Sequence, residues 1–220
     1  MLAQRHITVE DRAAPTGFDW DAESAGFGYD ANGNMSSISG QIPNIAYDHR
    51  NLPVQWDLPD GSHLIHAYNA DGQRMLKEHS EGQWSFYVMD GQQNLAVVDE
   101  EGFSHFNIVG NATEGRLEPK EDTRRYYLKD HLGSTRAVID KHGEVLETHG
   151  YYPFGAQMPG RQFTAGTPTK EQFTSKERDA ETGLDYFGAR YYLSAYGRWN
   201  GVDAQTSTPT AAAPISSSCK

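Results

Sequence analysis

The chain holds a single cysteine, Cys219, next to its last residue. No disulfide can close within it, so the fold has to stand on packing. Long apolar runs are missing as well: nothing approaches the ~18–20 apolar residues that a membrane-crossing helix needs. Basic charge is short. Nineteen Lys and Arg stand against 30 Asp and Glu, a formal net charge of −11. The pair Arg124-Arg125 does not make the cationic stripe on which recognition of a phosphate backbone depends. Nucleic acid is therefore not expected as a partner. The opening residues, Met1 to Arg12, are polar and charged and lack the apolar centre of a secretory signal. The expectation is cytoplasmic synthesis, with any export or surface display by a signal-independent route.

What the chain does have is aromatics and turn formers: 12 Tyr, nine Phe and four Trp, with 22 Gly and ten Pro scattered among them. Flat rings suit pleated strands and Gly suits tight turns, so the composition predicts an all-β protein. An internal repeat sharpens this. Tyr29-Asp30-Ala31-Asn32-Gly33 returns 18 residues later as Tyr47-Asp48-His49-Arg50-Asn51, and 21 residues after that as Tyr68-Asn69-Ala70-Asp71-Gly72. A weaker copy runs from Tyr87 to Asp90-Gly91. The period is one hairpin's worth of chain. Asn-Gly and Asp-Gly are read as two-residue hairpin turns, which need positive φ. The Tyr is read as laying its ring over a neighbouring strand with its hydroxyl on a polar partner, and the Asp or Asn as bonding the turn's backbone.

The repeat lapses over 104–123, which carries Gly110, Gly115 and Pro119 among charges. That stretch reads as an irregular linker with one short strand, Phe106 to Val109. Residues 156–171 read as a loop, and 204–220, made of Ala, Ser, Thr and Pro, as a disordered tail. The expected organisation is a lead-in over 1–27, repeats over 28–103, the linker over 104–123, a distinct block over 124–203, and the tail.

That block is specific. It contains Asp130-His131-Leu132-Gly133-Ser134-Thr135-Arg136, then Lys176-Glu177-Arg178-Asp179 followed by Thr182-Gly183-Leu184, then Ala189-Arg190-Tyr191-Tyr192 and Gly197-Arg198-Trp199. Asp179 and Thr182 are expected to tie the backbone of a Gly-ended turn. Leu184 to Tyr192 alternates so as to put Tyr186, Gly188, Arg190 and Tyr192 on one face of a strand. Arg190 is expected to stack on a ring or pair with a carboxylate.

Together with the Tyr-Asp repeat, these residues resemble the RHS/YD-repeat proteins, and the block resembles their C-terminal RHS-repeat-associated core. The resemblance runs from about Gly28 to Asp203. It implies consecutive antiparallel hairpins forming part of a spiral β-shell, as in toxin-complex C components and teneurins. The implied partners are further shell segments or an enclosed toxin polypeptide. The implied function is a structural wall, here a truncated or cargo-less copy. With few repeats and a start at Met1, an opened shell is expected to expose strand edges and to assemble or aggregate through them.

In several family members the end of the shell cuts itself by aspartic-protease chemistry, two close carboxylates sharing a proton. Asp203, after Gly197-Arg198-Trp199, is the only position matching the cleavage aspartate. Ala204 replaces the following Pro, Gln205 and Thr206 continue, and Leu193-Ser194-Ala195 stands where the family has Asp-Pro. Self-cleavage, an alternative function, is therefore not expected, and no catalytic residue is assigned. A further alternative is an adhesion or carbohydrate-binding module that uses Trp84 and Trp199. No metal or cofactor is expected: His63 and His66 would face opposite sides of a strand, and His131, His142 and His149 fall in separate turns and strands. Gly133-Ser134-Thr135 lacks the following helix of a nucleophile elbow.

Overall fold

The computed structural model describes residues 26–202 and the backbone of 7–8. The lead-in over 1–25 (those two residues apart), Asp203 and the tail over 204–220 lie outside the described residues. The architecture is all-β. A first sheet has the order β1 (Ile7–Thr8), β2 (Gly26–Tyr29) and β3 (Met35–Ile38). A twelve-stranded antiparallel meander follows. Its first half is β4 (Asn44–Tyr47), β5 (Pro53–Asp57), β6 (His63–Tyr68), β7 (Arg74–His79), β8 (Trp84–Asp90) and β9 (Gln93–Asp99). Its second half is β10 (Gly102–Val109), β11 (Thr113–Glu118), β12 (Thr123–Lys129), β13 (Thr135–Asp140), β14 (Val145–Tyr151) and β15 (Gln157–Thr164). The chain then folds back through a short 3-10 turn, Phe173–Ser175, into a small sheet. This holds β16 (Glu177–Arg178), β17 (Asp185–Tyr186), β18 (Tyr191–Leu193) and β19 (Arg198–Trp199) in sequence order.

The Tyr-Asp unit closes its hairpins, by a different turn from the two-residue type. The N–H of Asp30 donates to the Asn34 carbonyl and that of Gly33 to the Asp30 carbonyl, and Asp48/Leu52 and Asn69/Gln73 repeat the pattern. This is a type I turn completed by a bulge residue at positive φ: Gly33 at 85°, Asn51 at 61°, Gly72 at 78°. Only that residue needs the left-handed conformation. Each acid or amide accepts two backbone N–H groups with one oxygen, as Asp48 does from Arg50 and Leu52 at 2.8 and 3.0 Å. The Tyr reaches back to the preceding hairpin: Tyr47 Oη donates to the Met35 carbonyl at 2.7 Å and Tyr68 Oη to that of Pro53 at 2.8 Å.

Three segments differ from the sequence reading. Residues 104–123 are no linker, because β10 and β11 pair in register through Phe106↔Leu117 and Asn107↔Arg116 inside the long sheet. Their charges alternate with apolar residues because one face of this sheet is polar, and that mimics a loop. Half of 156–171 is likewise strand, β15, whose Pro159 and Gly160 are tolerated at a sheet edge, where one side of the backbone pairs with no neighbour. The run Leu184–Tyr192 is a hairpin, not one strand. Gly188, at φ 92°, lies in a turn that pairs Tyr186 with Tyr191 and Asp185 with Tyr192. Tyr186 and Tyr192 therefore do not share a face.

The apolar core lies where the first sheet, β4–β6 and the small sheet meet. Phe27, Met35, Ile42, Trp56, Leu64 and Leu193 are buried there. Asn200 fastens the seam. Its carbonyl accepts from Met35 N–H at 2.6 Å and its side-chain amide donates to Tyr47 Oη at 3.1 Å.

Candidate functional site

Call the face of the long sheet that carries the small sheet its inner face. In β7, Lys77 points inward and Leu76 outward. The bulge at Ala67/Tyr68 resets the alternation so that Arg74 points inward too. The guanidinium of Arg74, wholly buried, donates to Asp179 Oδ2 at 2.6 Å, Tyr191 Oη at 2.8 Å and Tyr87 Oη at 2.8 Å, and lies 3.0 Å from Glu177 Oε1. The rings of Tyr87 and Tyr186 flank it at 4.9 and 4.5 Å. Even its backbone N–H is bound, donating to Tyr186 Oη at 2.8 Å. Lys77 donates to Asp179 Oδ1 at 3.1 Å and to Glu181 at 3.0 Å.

The Lys-Glu-Arg-Asp block thus divides its labour by strand alternation. Glu177 and Asp179 clasp the long sheet. Arg178 turns into the small sheet and grips the Asp185 carboxylate with two bonds of 2.8 Å. Asp179 does not bond its own turn with its side chain. Thr182 Oγ1 does, accepting from Leu184 N–H at 3.3 Å.

Burial alone would raise the Asp179 carboxyl, but the fields of Arg74 and Lys77 outweigh it and hold the group far below the usual range. Glu177 is also held down: burial opposes, and Arg74 prevails. Neither carboxylate shares a proton with the other, as an aspartic-protease pair must. His66 closes the cluster. Trp56 Nε1 donates to its Nδ1 at 3.1 Å and Tyr191 Oη lies 3.1 Å from the same nitrogen, so Nε2 carries the proton. Burial, with Arg74 nearby, pushes the His66 imidazole down to about 3.

A second polar seam runs under the segment that leads back to the small sheet. Glu147 on β14 accepts from the backbone and hydroxyl of Thr169 at 2.9–3.0 Å and from His149 Nε2 at 3.1 Å, and faces Arg125 at 3.3 Å. Tyr127 Oη donates to Glu171 at 3.2 Å. Burial raises the Glu171 carboxyl, and Glu177 raises it further.

The other residues singled out from sequence fall elsewhere. His131 and His142 sit in exposed turns, and His149 is absorbed by Glu147. Arg190 stacks on Trp199 at 4.5 Å, on the far side of the small sheet, while Trp84 is on β8. Among the described residues no group of three or more His, Cys, Asp or Glu side chains is placed to hold a metal ion. Sequence reading missed Arg74, Lys77 and Glu147. For Arg74 a signal exists. It occupies the position paired with the repeat's Tyr, where the earlier repeats carry Met35 and Pro53. A cation at a position that is otherwise apolar and buried needs a buried anion.

This arrangement, an open strip of Tyr-Asp hairpins with its C-terminal core clasped to one face, has the fold of RHS-type β-shells and is similar to them. The chain is similar to toxin subunit YenC1 of Yersinia entomophaga, 35% identical over 88 residues that make up 39% of this chain and 9% of the relative. It is also similar to salivary gland surface protein 1 of Aedes aegypti, 27% identical over 194 residues, 80% of this chain and 6% of that protein. Among solved structures, the Photorhabdus luminescens Tc holotoxin pore with mutated TccC3 matches at a TM-score of 0.63 with 25% identity, over 80% of this chain and 9% of that one. A TcdB2-TccC3-Cdc42 complex matches at 0.64 with 24% identity, over 80% of this chain and 9% of that one. The chain spans less than a tenth of the length of these relatives. No family model matches it.

Proposed function

We propose that this chain is a segment of shell wall, a structural scaffold that encases or presents a polypeptide and has no chemistry of its own. The observation that carries the reading is the Arg74 clasp: the most specific sequence block is spent on seating the core against the sheet, and its carboxylates are fully committed to cations. The partners are further wall segments, joined at the open edge of β15, or an enclosed chain.

Light scattering over a range of concentrations tests the wall reading. Assembly should grow with concentration, and the amides of β15 should become protected from hydrogen exchange as it does. A monomer at every concentration, with β15 amides exchanging freely, would count against joining by strand addition. Self-cleavage at Asp203 is tested separately by intact mass after long incubation from acid to neutral pH. The mass should not change, and a fragment ending at or near Asp203 would sink the non-enzymatic reading.

A further inference from the structure

The outer face of the long sheet, turned away from the core, is less polar than an acidic chain leads one to expect. Cross-strand pairs share a face, so Leu76, Phe86, Val98 and Phe103 form one row across β7–β10. Val88, Ala96, Phe106 and Leu117 form a second row beside it. Phe86, Phe103 and Phe106 remain 41, 47 and 37% exposed, and the last two stack with ring centres 4.7 Å apart. No inward-facing element can cover these rings. Exposed aromatics grouped this way mark interaction surfaces.

Charge says what kind of partner fits. The turns β7–β8, β9–β10 and β11–β12 all lie at one end of the sheet, as antiparallel order requires. They carry the exposed acids Glu81, Glu100, Glu101, Glu121 and Asp122. Lys120 is the cation among them, and it is already held by Asp99 and Glu101 at 3.3 and 2.9 Å. Phe103 is two residues from Glu101, so the apolar rows abut the acidic rim. A second copy of this chain would bring an equal rim, and a net charge of −11, against the first. We propose that this outer face docks a cationic amphipathic segment of another polypeptide, with apolar side chains on Phe86, Phe103 and Phe106 and Lys or Arg on the rim. Apolar anchoring then provides affinity, and the rim provides orientation and rate of encounter.

The probe is a labelled synthetic peptide of alternating Leu and Lys, titrated into the purified chain and read by fluorescence anisotropy. Saturable binding that weakens with salt is expected, with none for the matching Leu–Glu peptide. Phe103→Ser/Phe106→Ser should weaken binding about tenfold or more. Glu100→Lys/Glu101→Lys, which leaves every ring in place, should weaken it several-fold and flatten the salt dependence. Equal affinity of the parent and the double-serine variant would overturn the proposal, as would the absence of saturable binding. A homodimer abolished by the same serine pair would overturn it in favour of a second copy. Binding to phosphatidylcholine vesicles lost with that pair would overturn it in favour of a lipid surface.

Discussion

Replacing Asp179 by asparagine removes one negative charge and almost no volume from a site with no access to water. Both carboxylate oxygens are in use, Oδ2 with Arg74 at 2.6 Å and Oδ1 with Lys77 at 3.1 Å. An amide can accept from one of them only, and it turns an NH2 toward the other cation. Taking one partner from a buried ion pair costs about 3–5 kcal/mol, because the remaining charge stays buried without compensation. Glu177 lies 3.0 Å from Arg74 and Glu181 3.0 Å from Lys77, so each cation keeps one anion. That places the expected loss near the lower limit, about 3 kcal/mol.

Urea denaturation followed by tryptophan fluorescence measures it, since Trp56 sits beside His66 in the same cluster. The pH dependence gives an independent reading. Asp179 is depressed in the folded chain, so its contribution is fully present above the unfolded pKa of ~3.9 and is lost as pH falls toward the folded value. Asp179→Asn should therefore be weaker at neutral pH and should lose part of its slope between about pH 5 and 2. A cost below about 1 kcal/mol, typical of an exposed pair, with the acid slope unchanged would refute the clasp.

Glu171 has the opposite sign. Its carboxyl is raised by burial, so its stabilising contribution is complete below the unfolded pKa and is lost as pH rises through the folded one. Glu171→Gln, which can still accept from Tyr127, should match or exceed the parent by up to about 1 kcal/mol at neutral pH in the same urea assay. Gly155 sits at φ 88° with the Phe173 ring 2.5 Å from where a Cβ would stand. Gly155→Ala should cost about 2–4 kcal/mol, partly recovered by adding Phe173→Leu, as read by thermal melting. Tyr47→Phe removes the hydroxyl that joins Met35 and Asn200, and should cost about 1–2 kcal/mol by urea denaturation.

The all-β class and the hairpin period were legible because they rest on local chemistry: a Tyr, an Asx and a residue able to take positive φ, every 20 residues or so. The sheet's extent was not. Over 104–123 the residues Arg116 and Glu118 look solvated in sequence, yet they face inward and pair with each other at 2.6 Å. A pattern rule that treats charge as exterior misplaces any strand whose inner face is polar. The hairpin at 187–190 was lost for a related reason. Alternation persisted by chance through a turn, and the decisive feature, Gly188 at positive φ, has the same letter as a strand glycine. The clasp was half visible: the Lys-Glu-Arg-Asp block announced itself, but its partners lie more than 100 residues earlier, on β7.

That separation bears on why the clasp is ionic at all. Apolar side chains of the same volume in place of Arg74 and Asp179 would often stabilise a buried contact as well or better, since two desolvated charges barely repay their desolvation. A hydrophobic contact, however, tolerates sliding. On a strip of near-identical hairpins repeating every 20 residues, a core block held by apolar packing alone could seat one repeat out of place. Arg74 stands opposite the repeat's Tyr where other repeats place Met35 or Pro53, so among the Tyr-Asp hairpins this one alone offers a cation to Glu177 and Asp179. One repeat off, both carboxylates would be buried against an apolar side chain, at a cost of several kcal/mol each. The clasp therefore fixes register more than it adds stability. Moving the arginine tests this. Pro53→Arg combined with Arg74→Met offers the cation one hairpin earlier, and the core should dock poorly at both places, seen as faster proteolysis after Lys176 and Arg178. A core that stays as protected as in the parent would show that packing, not charge, selects its seat.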